Sequence, residues 1–145
     1  MKCSVNFIND VEYRSYVSKK LNSYNNVFSA AHMKSRREGF FKYFDIRLED
    51  EKVGGVIGTI YWNIMEIDDF YISEKHRGQG IGKHLLFKVL DVAHDMNLNY
   101  ILINTFGYQS KEFFYQFGFR VIGEIPDYPP GVSCFIMKHV LNYNK

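Results

Sequence analysis

Hydrophobic and polar positions recur with two different periods along this chain, and the change of period predicts its secondary structure. A period of two residues is typical of a half-buried strand, and a period of about 3.6 residues is typical of a helix with one apolar face. Strand patterns cover residues 3–8, 40–48, 53–64, 66–72, 100–105, 119–125 and 133–140. Helical spacing covers residues 10–22, 80–96 and 109–117, and a short helix or a loop is expected over 27–39.

The order of these elements predicts an α/β (α+β) fold. Strands come first, a strand–helix–strand–helix segment follows, and a final hairpin surrounds the turn Pro129-Pro130-Gly131. A chain of 145 residues is most simply one domain and is long enough to bury a core. We therefore expect a single domain over residues 1–145, without repeats or internal linkers.

The composition narrows the class of protein. A hydrophobic content of 46% and a charged content of 23% are ordinary for a soluble globular protein. The net charge of +2 and the scattered Lys and Arg residues do not favour a nucleic-acid partner. No apolar run is long enough to span a membrane, and the N-terminus lacks a signal-peptide pattern. Cys3 and Cys134 lack metal-ligand spacing, so we expect a cytoplasmic protein with reduced thiols and no metal.

A glycine-rich segment between a predicted strand and the strongest predicted helix is the main candidate for binding chemistry. It extends from Phe70 to Leu86 and contains three alternating glycines from Gly78 to Gly82. The first N–H groups of a helix have no internal acceptor and carry partial positive charge, which favours a bound phosphate. Rossmann spacing fails because the third glycine position holds Lys83, and Walker A spacing fails because His84 follows the lysine.

The spacing Arg77-x-x-Gly80-x-Gly82 matches instead the [Q/R]-x-x-G-x-[G/A] signature of the GNAT acetyltransferases, and the chain resembles that family over essentially its whole length. The resemblance implies the GNAT fold, a mixed sheet of six to seven strands that splays at the cofactor cleft and is flanked by about four helices. The other segments similar to family motifs are Gly54-Gly55, Asp68-Asp69-Phe70-Tyr71-Ile72, Phe113-Phe114-x-x-x-Gly118-Phe119 and the closing hairpin from Gly123 to Gly131.

The resemblance also implies an activity, the transfer of an acetyl group from acetyl-CoA to a primary amine of a small molecule in a bacterial enzyme. The amine attacks the thioester directly, CoA is released, and no metal takes part. In this family the strand before the loop holds the pantetheine arm through its backbone, and the loop N–H groups hold the pyrophosphate. The corresponding residues here are Phe70, Tyr71, Ile72, Arg77, Gly78, Gln79, Gly80, Ile81, Gly82, Lys83 and Phe114.

Acidic residues on the strand before the loop are the candidates for the general base. Counting back from Arg77, Glu66 falls where some family members keep a glutamate that acts through water. Asp68 is expected on the same strand face as Glu66, and Asp69 on the other face unless a bulge intervenes. The alternative is an acidic strand end that attracts a cationic substrate without taking part in the chemistry.

The acid that protonates the leaving thiolate is where the sequence departs from the family pattern. Phe114 occupies the usual tyrosine position, and Tyr115 follows one residue later. One residue along a helix rotates a side chain by about 100°, which should carry Tyr115 away from the cofactor sulfur. Three alternatives stay open: a helix irregularity restores Tyr115, another group such as Tyr108 serves, or the thiolate leaves without a dedicated acid.

Two further functions stay open beside the leading one. A protein or peptide N-acetyltransferase would need an open groove, and a non-catalytic acyl-CoA-binding or sensing domain is favoured by Phe114. The expected partner is a small-molecule amine, with no nucleic acid and no membrane. A homodimer formed through the final hairpin is a further alternative.

Overall fold

The computed structural model describes residues 2–29, 39–107 and 111–141, and the chain forms two compact units, Met1–Glu38 and Gly39–Lys145. Helix α1 (Val11–Phe28) belongs to the first unit. Its N-cap is Asp10, whose carboxylate accepts a 2.9 Å hydrogen bond from the N–H of Glu12. The helix continues past its predicted end at residue 22, where the Tyr24 and Phe28 rings pair at 4.8 Å with the i, i+4 spacing that supports a helix.

The predicted opening strand over residues 3–8 is wrong, because residues 2–10 have no regular secondary structure. Val5 and Phe7 are 95% and 99% exposed, so the alternating apolar side chains bury nothing. A strand needs a neighbour for its backbone hydrogen bonds, and no described strand pairs with this segment. The short helix or loop expected over 27–39 lies largely outside the described residues.

The second unit contains a mixed sheet of six strands, in the spatial order β1-β2-β3-β4-β6-β5. Neighbouring strands are antiparallel except β3 and β4, which are parallel. This arrangement confirms the predicted fold class and the predicted hairpins at both ends of the unit. The strands are β1 (Phe40–Leu48), β2 (Glu51–Tyr61), β3 (Ile64–Ile72), β4 (Tyr100–Phe106), β5 (Arg120–Ile125) and β6 (Cys134–Val140).

Two helices connect the later strands of this unit. Helix α2 (Ile81–Asp95) follows β3 after a single 3-10 turn, Glu74–His76, and helix α3 (Lys111–Tyr115) follows β4. Three α-helices are thus present in the described ranges, slightly fewer than the four expected. None of the helices in these ranges is both long and apolar enough to cross a membrane.

The core lies on one face of the sheet, between the strands and α2. Five apolar residues of α2, Ile81, Leu85, Leu86, Val89 and Ala93, recur at helical spacing and are buried, and burial of one large apolar side chain stabilises the fold by about 1.5–3 kcal/mol. Phe119 extends the same cluster towards α3. The buried side chains that meet between the sheet and α2 are Val56, Ile60, Met65, Ile67, Leu85, Leu86, Val89, Ala93, Ile101, Ile103 and Met137.

Candidate active site

The two parallel strands β3 and β4 separate halfway along their length. They pair only from Met65↔Ile101 to Ile67↔Ile103, although β3 continues to Ile72 and β4 to Phe106. Backbone N–H and C=O groups normally have hydrogen-bond partners, so the diverging edges form a cleft that an extended, amide-containing ligand can enter as a strand would.

A β-bulge in β3 lies at the point where the pairing with β4 ends. On the β2 side, Gly58 faces Ile67 and Ile57 faces Asp69, so Asp68 is an extra residue without its own partner. A bulge bends its strand and increases the local twist. It therefore favours the divergence of β3 from β4 and changes which way the following side chains point.

The bulge brings the acidic residues of β3 to one face of the sheet. Directly opposed residues of neighbouring strands share a face, so Glu66 lies with its partner Thr59, and Asp69 with its partner Ile57. Thr59 and Ile57 are two residues apart in β2 and face the same side. The hydroxyl of Thr59 donates a 2.5 Å hydrogen bond to Asp68 Oδ2. The exception allowed for a bulge therefore applies, and Asp69 joins the face of Glu66.

The three carboxylates differ in their surroundings. Glu66 is half-buried, and the hydroxyl of Tyr61 donates a 2.6 Å hydrogen bond to its Oε2. Asp68 and Asp69 are exposed. Glu66 thus has the most fixed and least solvated carboxylate of the set, which is the placement that a general base needs. The sequence did not predict Thr59 or Tyr61 as partners of these groups.

The chain reaches the glycine-rich loop directly from β3. The N–H of Ser73 donates a 2.7 Å hydrogen bond to the carbonyl of Val53, and the 3-10 turn follows. Gly78 and Gly80 have φ angles of 77° and 81°, in the left-handed region that glycine adopts without strain. A Cβ atom added at either position would meet no atom within 4 Å, so the loop backbone borders open space. Both properties suit a loop whose backbone contacts a ligand.

The backbone N–H groups of the loop point to an anion site at the start of α2. The first helical hydrogen bond is donated by His84 to the carbonyl of Gly80, at 3.2 Å. Gly80 is the N-cap and has no side chain to cover the preceding N–H groups. Within the described ranges, no backbone carbonyl accepts a hydrogen bond from the N–H groups of Gly78 to Lys83. A helix N-terminus of this kind favours a bound phosphate.

Arg77 connects the loop to the end of β3. Its N–H donates a 3.3 Å hydrogen bond to the carbonyl of Glu74, and its Nε donates a 2.9 Å hydrogen bond to the carbonyl of Ile72. The guanidinium carbon lies 5.8 Å from the centre of the Tyr71 ring. Arg77 thus holds the loop in place through its side chain, while its N–H is already engaged in the 3-10 turn.

The remaining loop residues can offer mainly their backbone to a ligand. The amide of Gln79 donates a 3.3 Å hydrogen bond to the carbonyl of Lys75. The side chain of Ile81 is buried in the core. A Cβ added at Gly82 would lie 3.4 Å from the Phe113 ring, so this glycine permits close packing between α2 and α3. Lys83 is exposed, and its ammonium group can approach an anion bound at the loop.

Gly54 lets β2 approach the end of β3. A Cβ at this position would overlap the carbonyl oxygen of Tyr71 and would lie 2.8 Å from Cδ1 of Ile72. Gly54 pairs with Ile72, the last residue of β3 before the loop. The backbones of β2 and β3 therefore approach closely here, which positions the start of the loop.

Phe114 and Tyr115 lie on different sides of α3. Phe114 is buried, and its ring meets Phe70 edge to face with 5.5 Å between the centres. Tyr115 is exposed, and the guanidinium of Arg120 lies 5.5 Å from the centre of its ring. The expected rotation of Tyr115 away from the β3 side of the helix is therefore present. Tyr108 lies outside the described residues.

Comparison with known protein families gives a match whose expected fold agrees with the sheet described above. A model of the acetyltransferase (GNAT) family matches residues 6–119. The match covers most of the chain, and the splayed sheet with its glycine loop is the architecture expected for that family. The chain belongs to the GNAT acetyltransferase family.

Individual relatives are similar over different lengths. Blasticidin-S acetyltransferase of Streptomyces morookaense is 27% identical over 88 residues, which are 60% of this chain and 65% of that protein, slightly less than two thirds of its length. An acetyltransferase structure from Bacillus cereus is 25% identical with a TM-score of 0.80, and the alignment covers 95% of this chain and 98% of the other. A structure from Bacillus anthracis, assigned to streptothricin acetyltransferase and in complex with acetyl coenzyme A, has a TM-score of 0.59 at 20% identity and covers 66% and 59% of the two chains. The last comparison shows a shared fold.

Proposed function

We propose that the protein transfers an acetyl group from acetyl-CoA to a primary amine of a small molecule, as a single GNAT domain. The cleft between β3 and β4, with the glycine loop at the end of β3, is the observation that carries the proposal. The relative from Streptomyces morookaense, which is named for acetylation of blasticidin S, supports a small-molecule acceptor.

The residues present fit acetyl-CoA. The open space beside Gly78 and Gly80 leaves room for a pyrophosphate against the loop backbone, and the N–H groups up to Lys83 supply donors. The part of β3 that does not pair with β4, from Phe70 to Ile72, supplies backbone groups for the amides of the pantetheine arm. When bound, acetyl-CoA provides the activated acetyl group and leaves as the free thiol.

Glu66 is the proposed general base. Its carboxylate, held by Tyr61, accepts a proton from the substrate ammonium through a water molecule and passes it to solvent. The neutral amine then forms the new C–N bond while the C–S bond to CoA breaks, and the nitrogen loses its second proton to solvent as the amide forms. In this proposal, backbone N–H groups of β3 beyond the bulge stabilise negative charge on the thioester oxygen. Asp68 and Asp69 contribute negative charge that attracts the cationic substrate.

Phe114 determines how the thiolate is protonated in this proposal. A buried phenylalanine against Phe70 has no hydroxyl to donate, and Tyr115 contacts Arg120 at the surface. We propose that the thiolate takes its proton from solvent, without an acid on α3. The same observation favours a second candidate, a domain that binds acyl-CoA without turning it over.

Release of free thiol from acetyl-CoA, measured with a panel of small amines and with peptides, separates these functions. We expect turnover with small amines, and Glu66→Gln should abolish most of it while CoA binding, measured by calorimetry, is retained. CoA binding without turnover of any acceptor would contradict the proposal and support the non-catalytic domain. Turnover of peptides alone would support a protein acetyltransferase.

A further inference from the structure

A cavity of about 410 Å³ opens on the same sheet face as Glu66. It lies across β1, β2 and β3, away from the core and from the β4 side of the cleft. Carboxylates and tyrosines contribute much of its wall. Its lining includes Tyr43, Asp45, Gly55, Ile57, Asp69 and Tyr71.

The strand register builds this cavity from two adjacent rows. One row runs from Tyr43 through Ile57 to Asp69, and the neighbouring row runs from Asp45 through Gly55 to Tyr71. Residues that face each other across neighbouring strands share a face, so all of these positions point to one side. Because Gly55 has no side chain, the second row has a gap in its centre, and the cavity lies above it.

The charges around the cavity are predominantly negative. Asp69 is exposed, and its carboxylate makes no hydrogen bond or ion pair with any residue that the structure describes. Asp45 accepts a 2.8 Å hydrogen bond from Arg47, which lowers its pKa and keeps it ionised near neutral pH. Arg77 lies beside Tyr71, but Glu66 and Asp68 add two further carboxylates to the same face.

The three carboxylates of β3 make different contacts, which indicates different roles. Tyr61 holds Glu66, and Thr59 holds Asp68 against the bulge, whereas Asp69 is left facing the cavity. The ring of Tyr43, which is 72% exposed, stands in the same row as Asp69. Asp69 and Tyr43 flank Ile57 from the two neighbouring strands, about 10 Å apart at two strand spacings, so an organic cation above Ile57 is attracted by the charge on one side and by the negative face of the ring on the other.

We infer that the amine substrate carries a second cationic group, which binds in this cavity between Asp69 and Tyr43 while Glu66 acts at the reacting nitrogen. The inference rests on the proposed function and names its substrate class, a diamine, polyamine or guanidino-amine. Glu66 and Asp69 are three residues apart on β3, and a strand rises about 3.3 Å per residue, which the bulge shortens. The two cationic groups of one small molecule can span this separation.

Kinetics with a matched pair of amines test the inference. 1,5-Diaminopentane and pentylamine share a carbon chain and differ only in the second ammonium group. We expect Asp69→Asn to raise KM for the diamine about threefold more than KM for the monoamine, since it removes one exposed charge partner of the second ammonium group. Asp91→Asn, an exposed aspartate on α2, makes the same chemical change elsewhere and should leave both KM values unchanged.

A second pair of variants tests the aromatic wall. Tyr43→Phe keeps the ring face and should keep the preference for the diamine, whereas Tyr43→Leu removes the ring and should reduce the preference several-fold. Leucine and phenylalanine are both tolerated in an exposed strand position, so the two variants are matched in fold. Equal KM changes for both amines in Asp69→Asn, or an unaltered preference in Tyr43→Leu, would overturn the inference.

Calorimetry distinguishes failure of this inference from failure of the proposed function. If neither amine releases thiol from acetyl-CoA, the proposed function fails, and the same two amines are titrated into protein saturated with CoA. Tighter binding of the diamine than of the monoamine, lost in Asp69→Asn and kept in Asp91→Asn, would support the cation site. Equal binding of the two amines, or an unchanged diamine affinity in Asp69→Asn, would overturn it.

Discussion

The hydroxyl of Tyr61 donates a 2.6 Å hydrogen bond to Glu66 across strands β2 and β3. Glu66 belongs to the short segment of β3 that still pairs with β4, so its backbone is held on both sides. The phenol adds a third restraint, on the carboxylate itself. The proposed base is therefore fixed where the two parallel strands begin to separate.

Replacement of Glu66 by glutamine should lower kcat by about 10²–10⁴-fold, the range that a general base contributes. The amide keeps the shape of the side chain but cannot accept the proton. Steady-state thiol release at saturating acetyl-CoA measures the effect. Glu124→Gln, an exposed glutamate on β5, is the matched control. A kcat within about threefold of the original would assign proton transfer to another group or to solvent.

Removal of the Tyr61 hydroxyl should have a smaller effect of the same kind. Tyr61→Phe leaves Glu66 in place but removes the hydrogen bond to its Oε2, and we expect kcat to fall about tenfold, in line with the loss of one hydrogen bond to a charged group. KM for acetyl-CoA should stay constant, since the loop is untouched. Tyr128→Phe, at an exposed tyrosine in the closing hairpin, controls for loss of a phenol. An equal fall in both variants would argue against a positioning role.

An alanine at Gly54 should destabilise the fold. The new Cβ would overlap the backbone oxygen of Tyr71, which cannot move without disturbing β3, and overpacking of this kind costs about 1–3 kcal/mol. Urea unfolding gives the free energy directly. Gly123→Ala is the comparison, because its Cβ would lie at an ordinary contact distance of 3.6 Å from Ile136. Similar free energies of unfolding for the two variants would contradict the prediction and show that β3 shifts to accommodate the new Cβ.

An alanine at Gly80 should weaken CoA binding beyond its effect on stability. Gly80 and Gly131 have nearly equal φ angles, 81° and 80°, and in both cases open space surrounds the added Cβ. Each substitution should destabilise the fold by about 1–2 kcal/mol through backbone strain. Calorimetric titration with CoA should show a loss of affinity for Gly80→Ala alone, because Gly131 belongs to the closing hairpin. Unaltered affinity in Gly80→Ala would place the pyrophosphate elsewhere.

His139 should make the stability depend on pH. Burial lowers the pKa of this histidine below its usual 6.5, and its ring packs 5.2 Å from that of Phe119. The unfolded chain then binds a proton at a higher pH than the folded chain does. The contribution of His139 is complete above the ordinary pKa and is lost as pH falls from there through the folded pKa.

Urea unfolding at about pH 7.5 and about pH 5.5 measures this dependence. The free energy of unfolding should fall less steeply with acidification in His139→Gln than in the original chain. His94→Gln, at an exposed position in the last turn of α2, is the control. Identical slopes for the original chain and His139→Gln would contradict the prediction.

Much of the second unit could be predicted from the sequence, because its apolar positions repeat with regular periods. The strand over residues 40–48 and the helix from Ile81 have the predicted bounds to within one residue at their starts. The same reasoning failed over residues 3–8, where alternation exists without a partner strand. It also ended α1 too early, since asparagines weaken a helix without stopping it.

The candidate site could be predicted only in part. The loop could be predicted from the spacing of its glycines, because positions that need a positive φ angle or room for a ligand at the backbone are usually occupied by glycine. Thr59 and Tyr61 could not be predicted as hydrogen-bond partners of the carboxylates, since their contacts depend on the register between β2 and β3. The sequence of β3 does indicate the bulge. Its core-facing residues have odd numbers at Met65 and Ile67 but an even number at Phe70, as expected when one extra residue is inserted between them.

The extra residue in β3 shifts the inside–outside alternation of the strand by one position in the sequence. If Asp68 paired regularly with Ile57, Asp69 would fall into the apolar layer and the aromatic side chain of Phe70 would point to solvent. A deletion of Asp68 should therefore remove the bulge and leave the later residues of the strand on their present faces, up to the anchor of Arg77 on Ile72. The bulge thus lets β3 carry one more acidic residue while the later side chains keep their places in the core and on the acidic surface.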